Sequence, residues 1–373
     1  MSSTAPTTND YLFMAQALRL AEQGLYSTTP NPRVGCVIVR NGVIIGEGAH
    51  LKAGEPHAEV FAMHQAMANG HNYLKGADVY VTLEPCSHYG RTPPCAEALV
   101  KAGVARVIVA MQDPNPLVAG LGLEILKHHS IGITVGIMET EARQLNAGFI
   151  SRMTCGMPYV RSKIASSLDG RTALVNGESK WITGEAARFD VQHWRAQSCA
   201  ILTGIGTVLA DNPNLTARLK SDGSIRQPLR IVVDSLLRIS PDALILQGGK
   251  TLVVYASDPN HKLSQLSADN VELLKIADKN GKVCLKSLFQ ALAAREINEV
   301  MCEAGHFLNG ALLMQNLIDE LLIYYAPVIL GNDAMSMFAI PHLTSMQQRV
   351  QLALIDTLQV GRDLRLRLKP SLK

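Results

Sequence analysis

Two pieces of sequence decide the fold of the first half of this chain: HAE at residues 57–59 and PCSHYGRTPPC at residues 85–95. They supply one imidazole, His57, and two thiols, Cys86 and Cys95. A zinc site with three protein ligands keeps a fourth position open, which is typical of catalytic rather than structural zinc. Water at that position has its pKa lowered from about 15.7 to about 7. The sequence therefore predicts a catalytic zinc site.

Glu59 lies two residues after the predicted histidine ligand, where it can move protons without binding the metal. A metal-activated water beside a carboxylate can replace an amino group on a ring carbon, as in the zinc deaminases with their H-x-E and P-C-x-x-C sequences. Here eight residues separate Cys86 from Cys95, whereas that general pattern has two. The alternative is two unrelated cysteines and a surface histidine, which the Glu-Pro-Cys sequence at a predicted strand end disfavours.

Size and composition set the broad class of protein. A chain of 373 residues with 47% hydrophobic residues predicts two domains, placed at 1–150 and 151–373. A net charge of +3 does not by itself indicate nucleic-acid binding. Seven cysteines favour a reducing cytoplasm, and we expect neither a signal peptide at residues 1–9 nor a membrane span.

Strands and helices alternate along the chain, which predicts an α/β fold. In the first half, strands are predicted at 34–39, 43–48, 78–83 and 106–111, with helices before, between and after them. In the second half, strands are predicted at 159–165, 230–234, 251–255, 299–303 and 321–327, and a helix at 185–197. GHFLNG at residues 305–310 follows a strand and precedes a helix, so it is either a phosphate-binding loop or a simple turn.

With these residues laid out, the chain resembles the RibD family of bifunctional riboflavin-biosynthesis deaminase/reductases over nearly its whole length. The similarity rests on six segments: PNPRVG (30–35), HAE (57–59), EPCSHYGRTPPC (84–95), KIASSLDGRTA (163–173), WIT (181–183) and EAG (303–305). The long interval between the two cysteines is expected in this family. The resemblance implies an N-terminal cytidine-deaminase-like three-layer domain and a C-terminal dihydrofolate-reductase-like α/β domain.

Two successive reactions are implied by the resemblance. The first is hydrolytic deamination of 2,5-diamino-6-ribosylamino-4(3H)-pyrimidinone 5′-phosphate by zinc-activated water. The second is reduction of the ribosyl side chain by NADPH, which gives 5-amino-6-ribitylamino-uracil 5′-phosphate. The implied partners are this small phosphorylated pyrimidine and a second copy of the chain, associated through the reductase domain as a dimer or higher oligomer, with no nucleic acid and no membrane.

The resemblance also implies a role for individual residues. One zinc ion per chain would be held by His57, Cys86 and Cys95, with Glu59 as the catalytic proton carrier. The deaminase substrate would be contacted by Asn31, His50, His88 and Arg91. NADPH would be contacted by Ala165, Trp181, Thr207, Asp211, Ser235, Gly305, His306, Phe307, Leu308, Asn309 and Gly310. The reductase substrate would be contacted by Lys163, Ser179, Arg195, Leu215, Arg218 and Glu303. The guanidinium groups of Arg195 and Arg218 suit a 5′-phosphate.

Two other functions use the same zinc residues. A nucleic-acid base deaminase, such as a tRNA adenosine deaminase, would need basic and aromatic surfaces for flipped bases. The small net charge, the 5% aromatic content and a second α/β domain disfavour it. An inactive zinc-binding regulatory protein would not need Glu59, which is present.

Overall fold

The computed structural model describes residues 6–71, 74–89, 93–219, 225–266 and 268–371. The chain forms two compact units, Met1–Gly156 and Met157–Lys373. The boundary expected near residue 150 falls inside the last helix of the first unit, Ala147–Cys155. That helix ends at Gly156, whose φ of +64° suits a residue without a side chain.

The first unit is built around a five-stranded sheet. Its strands are β1 (Gly35–Arg40), β2 (Val43–Ala49), β3 (Asp78–Val81), β4 (Arg106–Val109) and β5 (Gly132–Val135). Its helices are α1 (Thr8–Glu22), α2 (Ala58–Ala68), α3 (Cys95–Ala102), α4 (Leu121–His128), α5 (Glu139–Leu145) and α6 (Ala147–Cys155). The strand order is β2-β1-β3-β4-β5. β1 is antiparallel to both neighbours, whereas β3, β4 and β5 are parallel.

Glycines let helices approach both faces of this sheet. A Cβ on Gly35 would lie 1.9 Å from the carbonyl oxygen of Ala17 in α1, and one on Gly48 would lie 2.2 Å from that of Ala58 in α2. Gly48 is paired with Cys36, the residue after Gly35, so the two glycines lie on opposite faces of the sheet. Helix, sheet and helix therefore form three layers, as the family resemblance implied.

The second unit contains a nine-stranded sheet and a two-stranded sheet. The strands are β6 (Tyr159–Ser167), β7 (Arg171–Ala173), β8 (Ala200–Gly204), β9 (Leu229–Val233), β10 (Thr251–Tyr255), β11 (Val271–Lys275), β12 (Glu299–Cys302), β13 (Glu320–Ala326), β14 (Met335–Ser336), β15 (Gln351–Val360) and β16 (Asp363–Ser371). The helices are α7 (Glu185–Gln197), α8 (Ile205–Asp211), α9 (Leu285–Ala294) and α10 (His306–Met314). The order of the large sheet is β11-β10-β9-β8-β12-β6-β13-β16-β15, and β7 pairs with β14.

The core of this sheet is parallel, because the seven strands from β11 to β13 all run in the same direction. Successive residues on its strands pack into different apolar clusters, for example Ile231 and Val232 on β9. Side chains on both faces are therefore buried, as expected of a parallel sheet. The last two strands, β16 and β15, are antiparallel additions that the sequence analysis did not predict.

The segment 305–310 differs from the expected loop before a helix. Gly305 is the N-cap residue, and α10 begins at His306, so most of the segment is the first turn of the helix itself. Leu312 and Leu313 of this helix are buried in the apolar core. Their packing stabilises the helical conformation, so the helix extends back to His306. Among the described residues, no helix is long and apolar enough to cross a membrane.

Candidate functional site

The three predicted zinc ligands meet where strands end and helices begin. His57 is the N-cap residue of α2, Cys86 follows β3, and Cys95 is the first residue of α3. The ligand atoms lie within 4.8 Å of one another. The Nδ1 atom of His57 is 3.5 Å from the sulfur of Cys86 and 3.4 Å from that of Cys95. Zinc–ligand bonds of 2.0–2.3 Å at tetrahedral angles give about 3.6 Å between nitrogen and sulfur, so the three residues fit zinc.

Hydrogen bonds among these side chains already favour a metal-binding state. The sulfur of Cys86 accepts hydrogen bonds from Cys95 and from His57, and these lower its pKa to about 4. The reciprocal hydrogen bond to Cys86 raises the pKa of Cys95, because the two sulfurs compete for one proton. The backbone N–H of Cys95 also donates to the sulfur of Cys86 at 3.3 Å. This arrangement favours the thiolate form of Cys86, which is the form that binds a metal.

Glu59 lies in the first turn of α2 and is only 3% exposed. Burial raises the pKa of its carboxyl group to about 7, and the negative charge of Cys86 contributes. A carboxyl group with a pKa near neutrality can both accept and donate a proton at working pH, which is what a general acid–base catalyst requires.

Two of the predicted substrate contacts, Asn31 and His50, lie beside the metal ligands. The Asn31 amide donates to Nε2 of His50 at 3.0 Å, while Nδ1 of His50 donates to the carbonyl of Pro56 at 3.0 Å. The rings of His50 and His57 are 5.3 Å apart. Burial lowers the pKa of His50, which favours the neutral ring. His88 is exposed on the same loop as Cys86, and Arg91 lies outside the described residues.

The sequence analysis missed two acidic residues at this site, Glu84 and Asp113. Glu84 comes directly before Pro85 and Cys86, and its carboxylate accepts hydrogen bonds from the backbone of the segment 113–123. Burial raises the pKa of Asp113, whose neighbouring charges include those of His88 and Cys86. The position of Asp113 after β4 could have indicated a site residue. No local pattern identifies the contacts of Glu84.

In the second unit, four predicted substrate residues form one charged group. Arg195 donates two hydrogen bonds to the carboxylate of Glu303, at 2.6 and 2.9 Å, and a third to the carbonyl of Thr216. Burial would raise the pKa of Glu303, but the charges of Arg195, Lys163 and Arg218 lower it. Burial lowers the pKa of Lys163. These residues therefore place excess positive charge around one carboxylate.

Ser179 and Leu215 complete the predicted substrate set. Ser179 is half-buried after β7, and Leu215 is buried with a φ of +53°. Ala165 follows Lys163 by two residues on β6, so both point to the same face of the sheet.

Some of the predicted NADPH-binding residues lie close together at the N-terminal ends of helices α8 and α10. A Cβ on Gly305 would be 4.0 Å from the hydroxyl of Thr207, and one on Gly204 would touch Leu308. The rings of His306 and Phe307 are 4.1 Å apart, and Phe307 is 76% exposed.

Other members of that set have partners within the protein. The Asn309 side chain is buried, donates to the carbonyl of Ala304 and accepts from Ser162. A Cβ on Gly310 would be 2.2 Å from the carbonyl oxygen of Ala339. Ser235 accepts from the backbone of Val283, and Asp211 lies 3.7 Å from the ammonium of Lys180. Trp181 is exposed and stacks under the guanidinium of Arg188.

Comparison with known proteins agrees with the division of the chain into two units. Residues 7–111 match the family model described as the cytidine and deoxycytidylate deaminase zinc-binding region, and residues 158–366 match the RibD C-terminal domain. The riboflavin biosynthesis protein RibD of Escherichia coli K12 is 47% identical over 96% of this chain and 99% of its own length. The chain belongs to the RibD family. The RibD protein of Haemophilus influenzae is 46% identical over 98% of both chains.

Solved structures of RibD-family proteins have the same fold. Acinetobacter baumannii RibD superposes with a TM-score of 0.89 at 49% identity, covering 98% of this chain and 99% of that one. A Thermotoga maritima deaminase/reductase superposes with a TM-score of 0.86 at 32% identity, covering 97% and 99%. The resemblance found in the sequence is confirmed. This RibD-family protein is a bifunctional deaminase/reductase of riboflavin biosynthesis, with zinc and NADPH as its cofactors.

Proposed function

We propose that this RibD-family protein deaminates 2,5-diamino-6-ribosylamino-4(3H)-pyrimidinone 5′-phosphate at the first unit and reduces the ribosyl chain of the product at the second. The observation that carries the proposal is the group of His57, Cys86 and Cys95 with a buried Glu59 beside it. The Thermotoga relative is named for these two activities, as a diaminohydroxyphosphoribosylaminopyrimidine deaminase and 5-amino-6-(5-phosphoribosylamino)uracil reductase. We assign deamination to residues 1–150 and reduction to residues 151–373.

In the deaminase site, Glu59 carries the protons. Zinc, when bound by the imidazole and the two sulfurs, supplies a water molecule of lowered pKa. Glu59 takes a proton as the water oxygen adds to the ring carbon, and protons then pass to the amine nitrogen, which leaves as ammonia. The nearly neutral pKa of Glu59 supports both transfers. One water is consumed and one ammonia is released.

The remaining deaminase residues orient the pyrimidine. Asn31 and His50 are linked by a hydrogen bond and lie beside His57, where they can bind polar groups on the ring. Burial lowers the pKa of His50, which favours the neutral ring, and a neutral ring does not repel a cation at the metal site. His88, and Arg91 by its position in the sequence, are assigned to the rest of the substrate.

In the reductase site, Lys163, Arg195 and Arg218 bind the ribosyl phosphate, and Glu303 holds Arg195 in place. NADPH, when bound, supplies the hydride. Arg195 is held by Glu303 and by the carbonyl of Thr216, so its guanidinium is fixed before substrate arrives. A fixed arginine loses little conformational freedom on binding a phosphate. The positive charges of Lys163 and Arg218 also act on Glu303 and lower its pKa.

The two activities can be followed separately in one protein. The purified protein is incubated with the diaminopyrimidine substrate, with and without NADPH. We expect ammonia release in both reactions and NADPH oxidation only after ammonia has appeared. Ammonia release from tRNA or single-stranded DNA, but not from this substrate, would contradict the proposal. A zinc-loaded chain that releases no ammonia from the diaminopyrimidine or from nucleic acid would also contradict the proposal.

We further propose that the protein self-associates through the second unit and works in the cytoplasm. The edge strand β15 exposes Leu352, Leu354, Ile355 and Leu358, which is an unusual amount of apolar surface for a free sheet edge. Light scattering of Leu354→Glu should give a smaller particle than the unchanged protein; an equal mass would contradict this. None of the seven cysteines forms a disulfide bond, which supports a reducing compartment. Fluorescence microscopy of a tagged chain tests the location.

A further inference from the structure

The side chain of Glu84 makes an unusually large number of hydrogen bonds to backbone groups. Its side chain is buried, and its carboxylate accepts from four backbone N–H groups. Oε1 accepts from Gly122 at 2.9 Å and Leu123 at 3.3 Å, while Oε2 accepts from Gly120 at 2.9 Å and Asp113 at 3.1 Å. Both oxygens are therefore fully used by a segment that follows 29 to 39 residues later in the chain.

Three of these N–H groups belong to the start of α4. Gly120 is the N-cap residue of this helix and has a φ of +85°. The first N–H groups of a helix have no partner within it, and a negative charge there is stabilising. Gly122 also approaches the backbone before Cys86, because a Cβ at this position would lie 2.0 Å from the carbonyl oxygen of Pro85. The carboxylate and this close contact join α4 to the residue that precedes a metal ligand.

The fourth N–H group belongs to Asp113, which lies four residues after β4. The charge of Asp113 interacts with those of His88 and Cys86. The backbone N–H of Glu84 donates to the carbonyl of Met111, so the ends of β3 and β4 are joined at the same point. Glu84 thus connects the loop that carries Cys86 and His88 with the loop that carries Asp113.

We propose that Glu84 is a positioning residue of the deaminase site, which holds Cys86 at its distance from His57 and Cys95 by joining the loop of Cys86 to the loop of Asp113 and to the start of α4. Glu84 binds neither metal nor substrate. The inference rests on the proposed deaminase function, but its effect on zinc affinity does not require that function. Residues that orient metal ligands from outside commonly change metal affinity by about 10- to 100-fold when replaced.

Glu84→Gln tests this role with little change in shape. An amide NH2 group would replace one oxygen and face two N–H donors, so two hydrogen bonds are lost. We expect zinc affinity, measured by competition with a chromogenic chelator, to fall about 10- to 100-fold. With zinc in excess, kcat for ammonia release should fall, and the visible absorption of the cobalt-substituted protein should shift because the Cys86 sulfur moves.

Glu124→Gln is the matched control, because Glu124 is exposed in the first turn of the same helix. It removes the same charge without touching Glu84 and should leave zinc affinity and the cobalt spectrum unchanged. NADPH oxidation with deaminated substrate reports whether the second unit is intact in each variant. Should Glu84→Gln fail to fold, Gly122→Ala disturbs the same contact from the helix side and should weaken zinc binding in the same direction.

Equal zinc affinity in Glu84→Gln and Glu124→Gln would overturn the inference, even if Glu84→Gln melts at a lower temperature, because that is the result of a purely structural role. Unchanged zinc affinity in Gly122→Ala would overturn it where Glu84→Gln does not fold. Weakened zinc binding in a protein that releases no ammonia even before substitution would support the positioning role and contradict the proposed function.

Discussion

Replacing Glu320 should destabilise the second unit far more than replacing an exposed acidic residue. The Glu320 carboxylate is 1% exposed and accepts hydrogen bonds from Arg367 at 2.8 Å and Tyr159 at 3.0 Å. It also pairs with the buried Arg161 at 3.2 Å. Glu320→Gln leaves Arg161 without its closest negative partner, and breaking a buried pair in this way costs about 3–5 kcal/mol.

The pH dependence of this effect follows from the carboxyl pKa. Burial would raise the pKa of Glu320, but Arg161 and Arg367 lower it from 4.5 to about 2. At about 1.4 kcal/mol per pKa unit, the ionised carboxylate contributes about 3 kcal/mol. Because the pKa is lowered on folding, this stability is complete above pH 4.5 and is lost as the pH falls towards 2.

Urea unfolding followed by tryptophan fluorescence measures the second unit alone, since Trp181 and Trp194 both lie in it. The control is Glu272→Gln, which removes an exposed pair with Arg295 and should cost less than about 1 kcal/mol. Equal urea midpoints for Glu320→Gln and Glu272→Gln at pH 7 would refute the reasoning. A difference between them that stays constant from pH 5 to pH 2 would refute the assigned pKa.

Three further predictions concern the two sites. Cys95→Ser should leave the protein without stoichiometric zinc, measured by atomic absorption after dialysis, while NADPH oxidation with deaminated substrate continues; full zinc content would argue against Cys95 as a ligand. Arg218→Ala should raise the reductase KM about tenfold or more, because a hydrogen bond to a charged group contributes about 1.5–3 kcal/mol; an unchanged KM would exclude a phosphate contact. Gly48→Ala should destabilise the first unit by about 1–3 kcal/mol, because its Cβ would lie 2.2 Å from the carbonyl of Ala58; calorimetry with an unchanged melting transition would show that α2 can move away.

Much of the deaminase site could be predicted because its signals are local. His57 and Glu59 are two residues apart, and the cysteines follow a strand and begin a helix. The combination of one imidazole, two thiols and a nearby carboxylate is specific enough to indicate zinc from the sequence alone. The alternation of strands and helices likewise predicted the α/β fold.

Long-range contacts could not be predicted in the same way. Glu84 bonds to backbone groups that carry no residue identity, so no sequence pattern indicates them. The pairing of Arg195 with Glu303 joins residues more than a hundred positions apart. The start of α10 at His306 depends on packing of its apolar face, which decided between helix and loop.

The C-terminal hairpin of β15 and β16 could have been predicted, because the sequence of β16 carries the pattern of a strand. Leu364, Leu366 and Leu368 alternate with Arg365 and Arg367, the period-two pattern of a strand. In the structure the two arginines stack on Trp194 and the chain pairs with β13. A count of alternating residues would have found β16.

The most direct test of the central claim is Glu59→Gln. The variant keeps the three metal ligands, so it should bind one zinc per chain. Ammonia release should fall about 10²- to 10⁴-fold, because the proton carrier of the deaminase is lost. NADPH oxidation with the deaminated substrate should stay at the level of the unchanged protein. Ammonia release at the original rate from a zinc-loaded Glu59→Gln protein would contradict the account.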